Sequence, residues 1–328
     1  MTFNKLAILL LIAVAIIFYQ YPSIPKYLFF DEVEFAKLAL TLNNQPYTPY
    51  SELATGHTTL YFYIILSFFK LFGISTAVLR LPSALFGIAG IFVFYKIMEL
   101  IFERKTLIVF LTTFIFLSLR WYFNFARYSF EVTFLLFLEL TSLYFFLSFY
   151  KTRSWKYLFI SAVFAGLSFH SYHPGRIFFI LPLIFLILFQ LKRHVATYIG
   201  IVLVISIPLL MYFNQHPDLR FEDKFFLKDE KYTFLRKVDF VKQNLVKTIL
   251  MFHVEGDMNG RHNYTGKPAL NPLLGLLFIA GLFIAIKNFR NTYHQVFLFY
   301  FILSLIPSLL TPPSENPNML RTFTVIPS

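Results

Sequence analysis

The stretch Phe29-Phe30-Asp31-Glu32-Val33-Glu34 sets three carboxylates just past the first apolar segment of a chain otherwise suited to lipid. A carboxylate is costly inside hydrocarbon and cheap at its aqueous edge, so an acidic cluster at that boundary points to binding or to proton abstraction. The competing reading is a solvated helix start, with Asp31 as N-cap and Glu34 closing a capping box. Outside this stretch the candidates for chemistry are Glu52, His57, Arg127, Glu131, His170, His173, Arg176, His253, Asp257, Arg261, His262 and Arg321. One reaction class uses such a set: group transfer from a sugar carried on a polyprenyl phosphate. The acceptor hydroxyl needs a base in line with the anomeric carbon, and a carboxylate serves. Oxocarbenium-like charge in the transition state is stabilised by nearby carboxylates, while the departing phosphate needs cations, for which arginine offers a planar fork. Asp31 is the expected base, with Glu32 and Glu131 as its catalytic companions. Arg127, His170, His173, Arg176, Arg261 and Arg321 are the expected phosphate binders. Glu34, His57, Asp257 and His262 are the expected acceptor or sugar contacts. A divalent cation held by Asp31, Glu32 or Glu34 with a histidine is chemically reasonable, though no ligand spacing demands it.

These residues need a scaffold, and composition says which. Of 328 residues, 57% are hydrophobic, 20% aromatic and only 14% charged, with a mean hydropathy of +0.64. Soluble domains carry roughly 25% charged residues, and here the apolar excess falls in long blocks. The expected fold is all-α: a polytopic transmembrane helical bundle forming one domain over residues 1–328. The net charge of +12 sits in short loops without a nucleic-acid-binding signature, so nucleic acid is not an expected partner. The absence of cysteine excludes disulfides, thiolate nucleophiles and Cys-based metal sites.

Spans are expected near 5–21, 80–102, 106–121, 130–150, 155–170, 175–191, 195–213, 270–288 and 293–311. The first, lacking a small-residue cleavage site, reads as an uncleaved span. Topology turns on the shorter run from Thr58 to Phe72. If it does not cross, the loops at Arg104-Lys105, Lys151-Arg153-Lys156, Lys192-Arg193 and Lys287-Arg290 all share the side of Lys5, as the positive-inside rule requires. Residues 58–72 are therefore expected to lie in the outer leaflet, within a first outer loop of about 22–79. Segment 31–44 has the apolar stripe of an interfacial helix, which puts Asp31 and Glu34 on one face. A large outer loop of about 214–269 should hold a second surface helix with Leu235, Val238, Val241, Leu245, Ile249 and Phe252 at helical spacing. This topology, fixed by Lys and Arg alone, places every candidate named above on the extracytoplasmic face of a cell membrane.

Four stretches carry a family resemblance: Phe30-Asp31-Glu32 with Ala36, then Gly56-His57-Thr58-Thr59-Leu60-Tyr61-Phe62-Tyr63, then Leu71-Phe72-Gly73 and Arg80-Leu81-Pro82-Ser83-Ala84-Leu85-Phe86-Gly87. Together they resemble the opening of the GT-C glycosyltransferases, in the protein O-mannosyltransferase-like branch that includes aminoarabinose transferases. The resemblance implies Asp31 as catalytic base, two membrane-hugging helices in the first outer loop, and Ala126-Arg127-Tyr128-Ser129-Phe130-Glu131 as the second outer loop with a supporting acid. It is dense from about 29 to 135 and thinner after, through His170–Arg176 and Gly256–Asn263. Thr58-Thr59 stands where relatives carry Pro-Pro, and Glu131 where they often have Asp. The chain stops at Ser328, where the family begins another span, so C-terminal spans are expected to be missing. The implied partners are a polyprenyl-phosphate-linked sugar, the bilayer, and a lipid, protein or glycan acceptor. Glu139, in the middle of a span, supports a rival reading as a carrier of lipid-linked sugars, though the paired repeats and broken helices of transporters are missing. A non-catalytic envelope scaffold is the third reading, and it predicts indifference to loss of Asp31.

Overall fold

The structure is a computed structural model that describes residues 2–103 and 105–328. Arg104, half of one predicted basic turn, lies outside the described residues. Among the described residues the regular structure is helical apart from one hairpin of two-residue strands. Its contacts gather into two compact units, residues 1–118 with 125–217 and residues 119–124 with 218–328, where the sequence reads as one domain.

The first unit opens with α1 (Thr2–Phe18), followed by α2 (Phe30–Thr41) and α3 (Leu60–Phe72), the two predicted loop helices. Between them, strands β1 (Tyr50–Ser51) and β2 (His57–Thr58) pair antiparallel, Ser51 opposite His57. Gly73, at φ +81°, ends α3. Ser75 then caps α4 (Thr76–Phe102) by accepting the Val78 N–H at 3.3 Å. α5 (Thr106–Ser118) breaks at Leu119, and the predicted span 106–121 therefore ends early; α6 (Arg120–Ala126) follows. α7 (Val132–Thr152) is the most deeply buried helix, packed between α4 and α8 (Trp155–Ser168). The predicted span 175–191 resolves into a 3₁₀ turn, His173–Ile177, and the short α9 (Ile180–Leu188), before α10 (Lys192–Gln215). Among the described residues four helices are long and apolar enough to cross a membrane, or five if the α5–α6 pair counts as one span.

Within this unit the basic loops converge on one end. Lys5 donates to Thr106 at 3.0 Å, Lys151 pairs with Glu103 at 2.6 Å, and Trp155 stacks on His194 with ring centroids 4.0 Å apart. Glu131 precedes the first turn of α7, so about 30 Å of helix separates it from Lys151, the thickness of bilayer hydrocarbon. Glu139 is buried on α7, about 12 Å of helix rise from Glu131.

The second unit contains α11 (Leu219–Lys224), α12 (Phe234–His253), α13 (Pro272–Lys287) and α14 (Thr292–Leu309). α12 is the predicted surface helix. It turns Phe240, Asn244, Thr248 and Met251 inward and leaves Leu235, Val246 and Ile249 exposed. Asn244 donates to the carbonyls of Leu309 and Thr311 at 2.9 and 2.7 Å, and Asn316 donates to Asn244 Oδ1 at 3.0 Å. These buried amides pin the irregular strap that follows α14, whose backbone groups would otherwise lack partners. Trp121 Nε1 donates to the Met319 carbonyl at 2.8 Å, and Tyr122 stacks on Phe323.

Candidate functional site

In the first unit the acidic stretch does not start its helix as expected. Phe29 is the N-cap and Glu32, at N3, accepts the Phe29 N–H at 3.2 Å, so Asp31 is not a cap. Asp31 lies half-buried in the first turn of α2, on the same face as Phe35 one turn later. The Phe35 ring meets the His57 imidazole edge-on, centroids 5.1 Å apart. His57 in turn sets Nδ1 against Glu131, 3.0 and 3.2 Å from its two carboxylate oxygens. Both members of this pair are buried, at 4% exposure each. His57 and Glu131, from two separate stretches of chain, are thus paired, and the ring packed against His57 belongs to the face of α2 that bears Asp31.

The loop after α8 is tied to the same end of the unit. Thr58 Oγ1 donates to the Ser171 carbonyl, and a Cβ on Gly175 would overlap Leu135, one turn past Glu131 on α7. Thr59 Oγ1 donates to the Thr48 carbonyl and its N–H to Pro49 at 3.1 Å. The Thr58-Thr59 departure therefore supplies two hydroxyls and an N–H that prolines would not have, and uses them to fasten this loop. Arg176 lies over the Phe213 ring at 5.0 Å, and His173 packs edge-on against Tyr172.

Several expected site residues have other duties. Glu32, expected to be catalytic, is wholly buried: Arg80 donates Nε to its Oε1 and Nη2 to its Oε2, both at 2.8 Å, and the N–H groups of Ser129 and Phe29 complete the shell. With its four lone-pair sites engaged, this carboxylate fixes the fold and is no base. Arg127, expected on phosphate, sends Nη2 to the carbonyls of Tyr19 and Ile24 at 2.7 Å each and shapes the turn after α1. His170 donates Nε2 to the Ile205 carbonyl at 2.9 Å, which commits that nitrogen to the packing of α10. Glu34 pairs with Lys37 on the helix surface at 2.8 Å. Among the described residues no group of three or more His, Asp or Glu side chains is placed to hold a metal ion, so the carboxylate–histidine ligand set is not assembled.

Arg80 was invisible as a site residue in sequence because it falls at the assumed start of a span. It is the largest fully buried side chain among the described residues, and its Nη1 also binds the Pro22 and Pro25 carbonyls at 3.0 and 2.7 Å. The available signal was a lone cation at the head of an apolar run, which needs a partner.

The second unit holds its own carboxylate–histidine pair. Asp257 Oδ2 accepts His262 Nδ1 and the Met319 N–H, each at 2.8 Å, and Oδ1 accepts the Asn259 N–H at 2.8 Å. Arg261 binds Asn259 Oδ1 in the same loop at 3.1 Å, and Asn124 donates to the carbonyls of Arg261 and His262. Gly256 opens this loop where a Cβ would collide with the Lys267 carbonyl oxygen. Gly256→Ala should therefore destabilise by roughly 1–3 kcal/mol, read as a lowered melting temperature; an unchanged value would show that the loop yields freely.

Arg321, the remaining phosphate candidate, pairs with Glu315, which Lys224 also binds at 2.9 Å. Burial by itself raises the Glu315 pKa, but Arg321 and Lys224 outweigh it and hold the carboxyl below its ordinary range. Because the folded value is the depressed one, the stabilisation is complete above the unfolded carboxylate pKa of about 4.3 and is lost as pH falls through the folded value. Glu315→Gln should flatten the fall in melting temperature between neutral and acidic pH. A variant with the wild-type slope would place that dependence elsewhere.

Residues 56–212 match the family model of dolichyl-phosphate-mannose-protein mannosyltransferases. Among solved structures the fold is similar to ArnT from Cupriavidus metallidurans bound to undecaprenyl phosphate, with a TM-score of 0.67 at 14% identity over 98% of this chain and 57% of that one. It is also similar to the Archaeoglobus fulgidus oligosaccharyltransferase tethered with an acceptor peptide, at 0.59 and 15% over 99% and 48%. The same archaeal enzyme, AglB, in complex with an inhibitory peptide and a dolichol-phosphate matches at 0.56 and 12% over 99% and 50%. The chain thus spans about half the length of the solved structures it matches. No curated protein matches the sequence. Residues 56–212 thus resemble the dolichyl-phosphate-mannose-protein mannosyltransferases, and the chain carries the fold of the GT-C membrane glycosyltransferases.

Proposed function

We propose that the protein transfers a monosaccharide from a polyprenyl-phosphate donor to an acceptor on the extracytoplasmic side of the membrane, with Asp31 as base. The observation that carries this reading is the buried His57–Glu131 pair, packed against Phe35 on the face of α2 that also bears Asp31, at the end of the unit away from its basic loops. Fold and family agree with it, and the structural neighbours include enzymes seen with undecaprenyl phosphate and dolichol-phosphate.

The chemistry is a single displacement. Asp31 takes the proton of the acceptor hydroxyl as its oxygen attacks the anomeric carbon, and the bond to the phosphate oxygen breaks with its electron pair on the phosphate. Inversion follows from attack opposite the leaving group. Glu131 acts through His57, fixing the ring and adding negative charge near the oxocarbenium-like centre. Arg176 and His173 are assigned to the departing phosphate, since the Thr58–Ser171 bond ties their loop to the strand that carries His57. Arg127, His170 and Glu32 position these groups and do not touch substrate. The isoprenoid tail stays in the bilayer.

Purified protein in proteoliposomes, given a radiolabelled polyprenyl-phosphate sugar and membrane acceptors, should move label from the donor to a product that survives mild acid. Label that crosses the bilayer while still on its lipid would instead establish a carrier. Orientation is open to a direct check because the chain has no cysteine. A single Cys at Glu52 should react with an impermeant maleimide added outside cells, and one at Lys105 should not; the reverse pattern would invert the topology.

A further inference from the structure

We propose a second lipid site, unconnected with the transfer reaction: a groove on the outside of the first unit that takes one acyl chain of an anionic glycerophospholipid from the leaflet on the basic-loop side, its phosphate on Lys96. The groove has a volume of about 480 Å³. α4 forms its floor through Leu85, Ala89 and Lys96, Leu10 of α1 walls one side, and Phe137 and Tyr144 of α7 wall the other. Leu85, Ala89 and Lys96 recur on one face of α4, so the floor runs about 16 Å along the helix, commensurate with much of an acyl chain. The lining is almost entirely apolar, which rules out a water-soluble ligand.

The charge at its rim selects the headgroup. Lys96 is the one cationic side chain in the lining among the described residues. It is about one-third exposed and gives one ammonium proton to Glu99 at 2.8 Å, leaving two for a ligand. Lys96 lies toward the end of α4 that meets Lys151 through Glu103, while the His57–Glu131 pair adjoins the other end of α7, about 30 Å of helix away. A lipid anchored on Lys96 therefore belongs to the leaflet opposite the one assigned to the donor phosphate. This inference rests on the orientation proposed above, not on the catalytic assignment of Asp31.

The test is native mass spectrometry of the full chain released from detergent, offered phosphatidylglycerol and phosphatidylcholine with identical palmitoyl and oleoyl chains. Wild type should retain phosphatidylglycerol preferentially. Lys96→Gln should weaken its retention about five-fold and abolish the preference. Ala89→Phe, which fills the floor, should lose both lipids, with melting temperatures of the lipid-free variants equal to wild type. If either variant melts lower, Ala89→Leu and Lys96→Met replace them. Equal retention of the two lipids by wild type, a preference that survives in Lys96→Gln, or undiminished retention by Ala89→Phe overturns the proposal. Displacement of phosphatidylglycerol by polyprenyl phosphate also overturns it, since the groove would then serve the donor's tail.

Discussion

Asp31→Asn is expected to lower sugar transfer by roughly 10³-fold while the protein remains folded and still binds its donor lipid. The substitution is nearly isosteric, and Asp31 is a half-buried side chain in the first turn of α2 with no role in capping it. What Asn lacks is the ability to accept a proton. The loss should therefore appear in kcat and leave donor affinity nearly unchanged, the pattern of an interaction needed only in the transition state. Glu131→Gln should behave differently. It weakens the hold on His57 without removing the base, so a smaller loss accompanied by a changed pH profile is expected. Full activity in Asp31→Asn would transfer the role to another group or support the scaffold reading.

The largest effect on stability is expected at Arg80. Arg80→Met removes five hydrogen bonds, two of them to Glu32 and three to the carbonyls of Pro22, Pro25 and Tyr27. It also leaves a fully buried carboxylate without its counter-charge, which costs roughly 3–5 kcal/mol. The double variant Glu32→Met, Arg80→Met should recover part of that loss, because two apolar groups avoid the stranded charge. Melting temperatures of the two single variants and the double variant give the coupling energy. Strict additivity would mean that the pair contributes nothing beyond its separate desolvation.

Arg80 also marks where sequence stops being informative. The helices were readable because apolar runs and proline or glycine breaks are local properties. α2, α3 and α12 all fall close to where periodicity put them, and the unit gathers the short basic loops at one end as charge asymmetry demands. Pairing is not local. Glu32 and Glu131 look alike in sequence, two acids beside apolar residues near a membrane edge. Only the fold sends Arg80 to the first and His57 to the second. The same holds for Arg127 and His170, whose partners are backbone carbonyls that no motif encodes. Thr58 and Thr59 looked like departures from a family pattern, and the structure shows what their hydroxyls fasten.

The hairpin that carries His57 is held under local strain. Ala54 and Thr55, at φ +55° and +70°, precede Gly56 at +90°, so two side-chain-bearing residues occupy the left-handed region within one tight turn. Their conformation is imposed by the Ser51–His57 register and by the anchors on Thr58 and Thr59, which keep the imidazole against Glu131. Precise placement of a carboxylate–imidazole pair in a dry site is what electrostatic stabilisation of a transition state requires, because such a pair need not reorganise during reaction.

The central claim is a one-step displacement by a carboxylate base on a lipid-phosphate sugar. The anomeric configuration of the product formed by the purified protein, read by NMR from a donor of known configuration, tests it most directly. Complete inversion is expected, with product formed roughly 10³-fold more slowly by Asp31→Asn. A retained configuration would require a covalent intermediate or a second displacement and would contradict it.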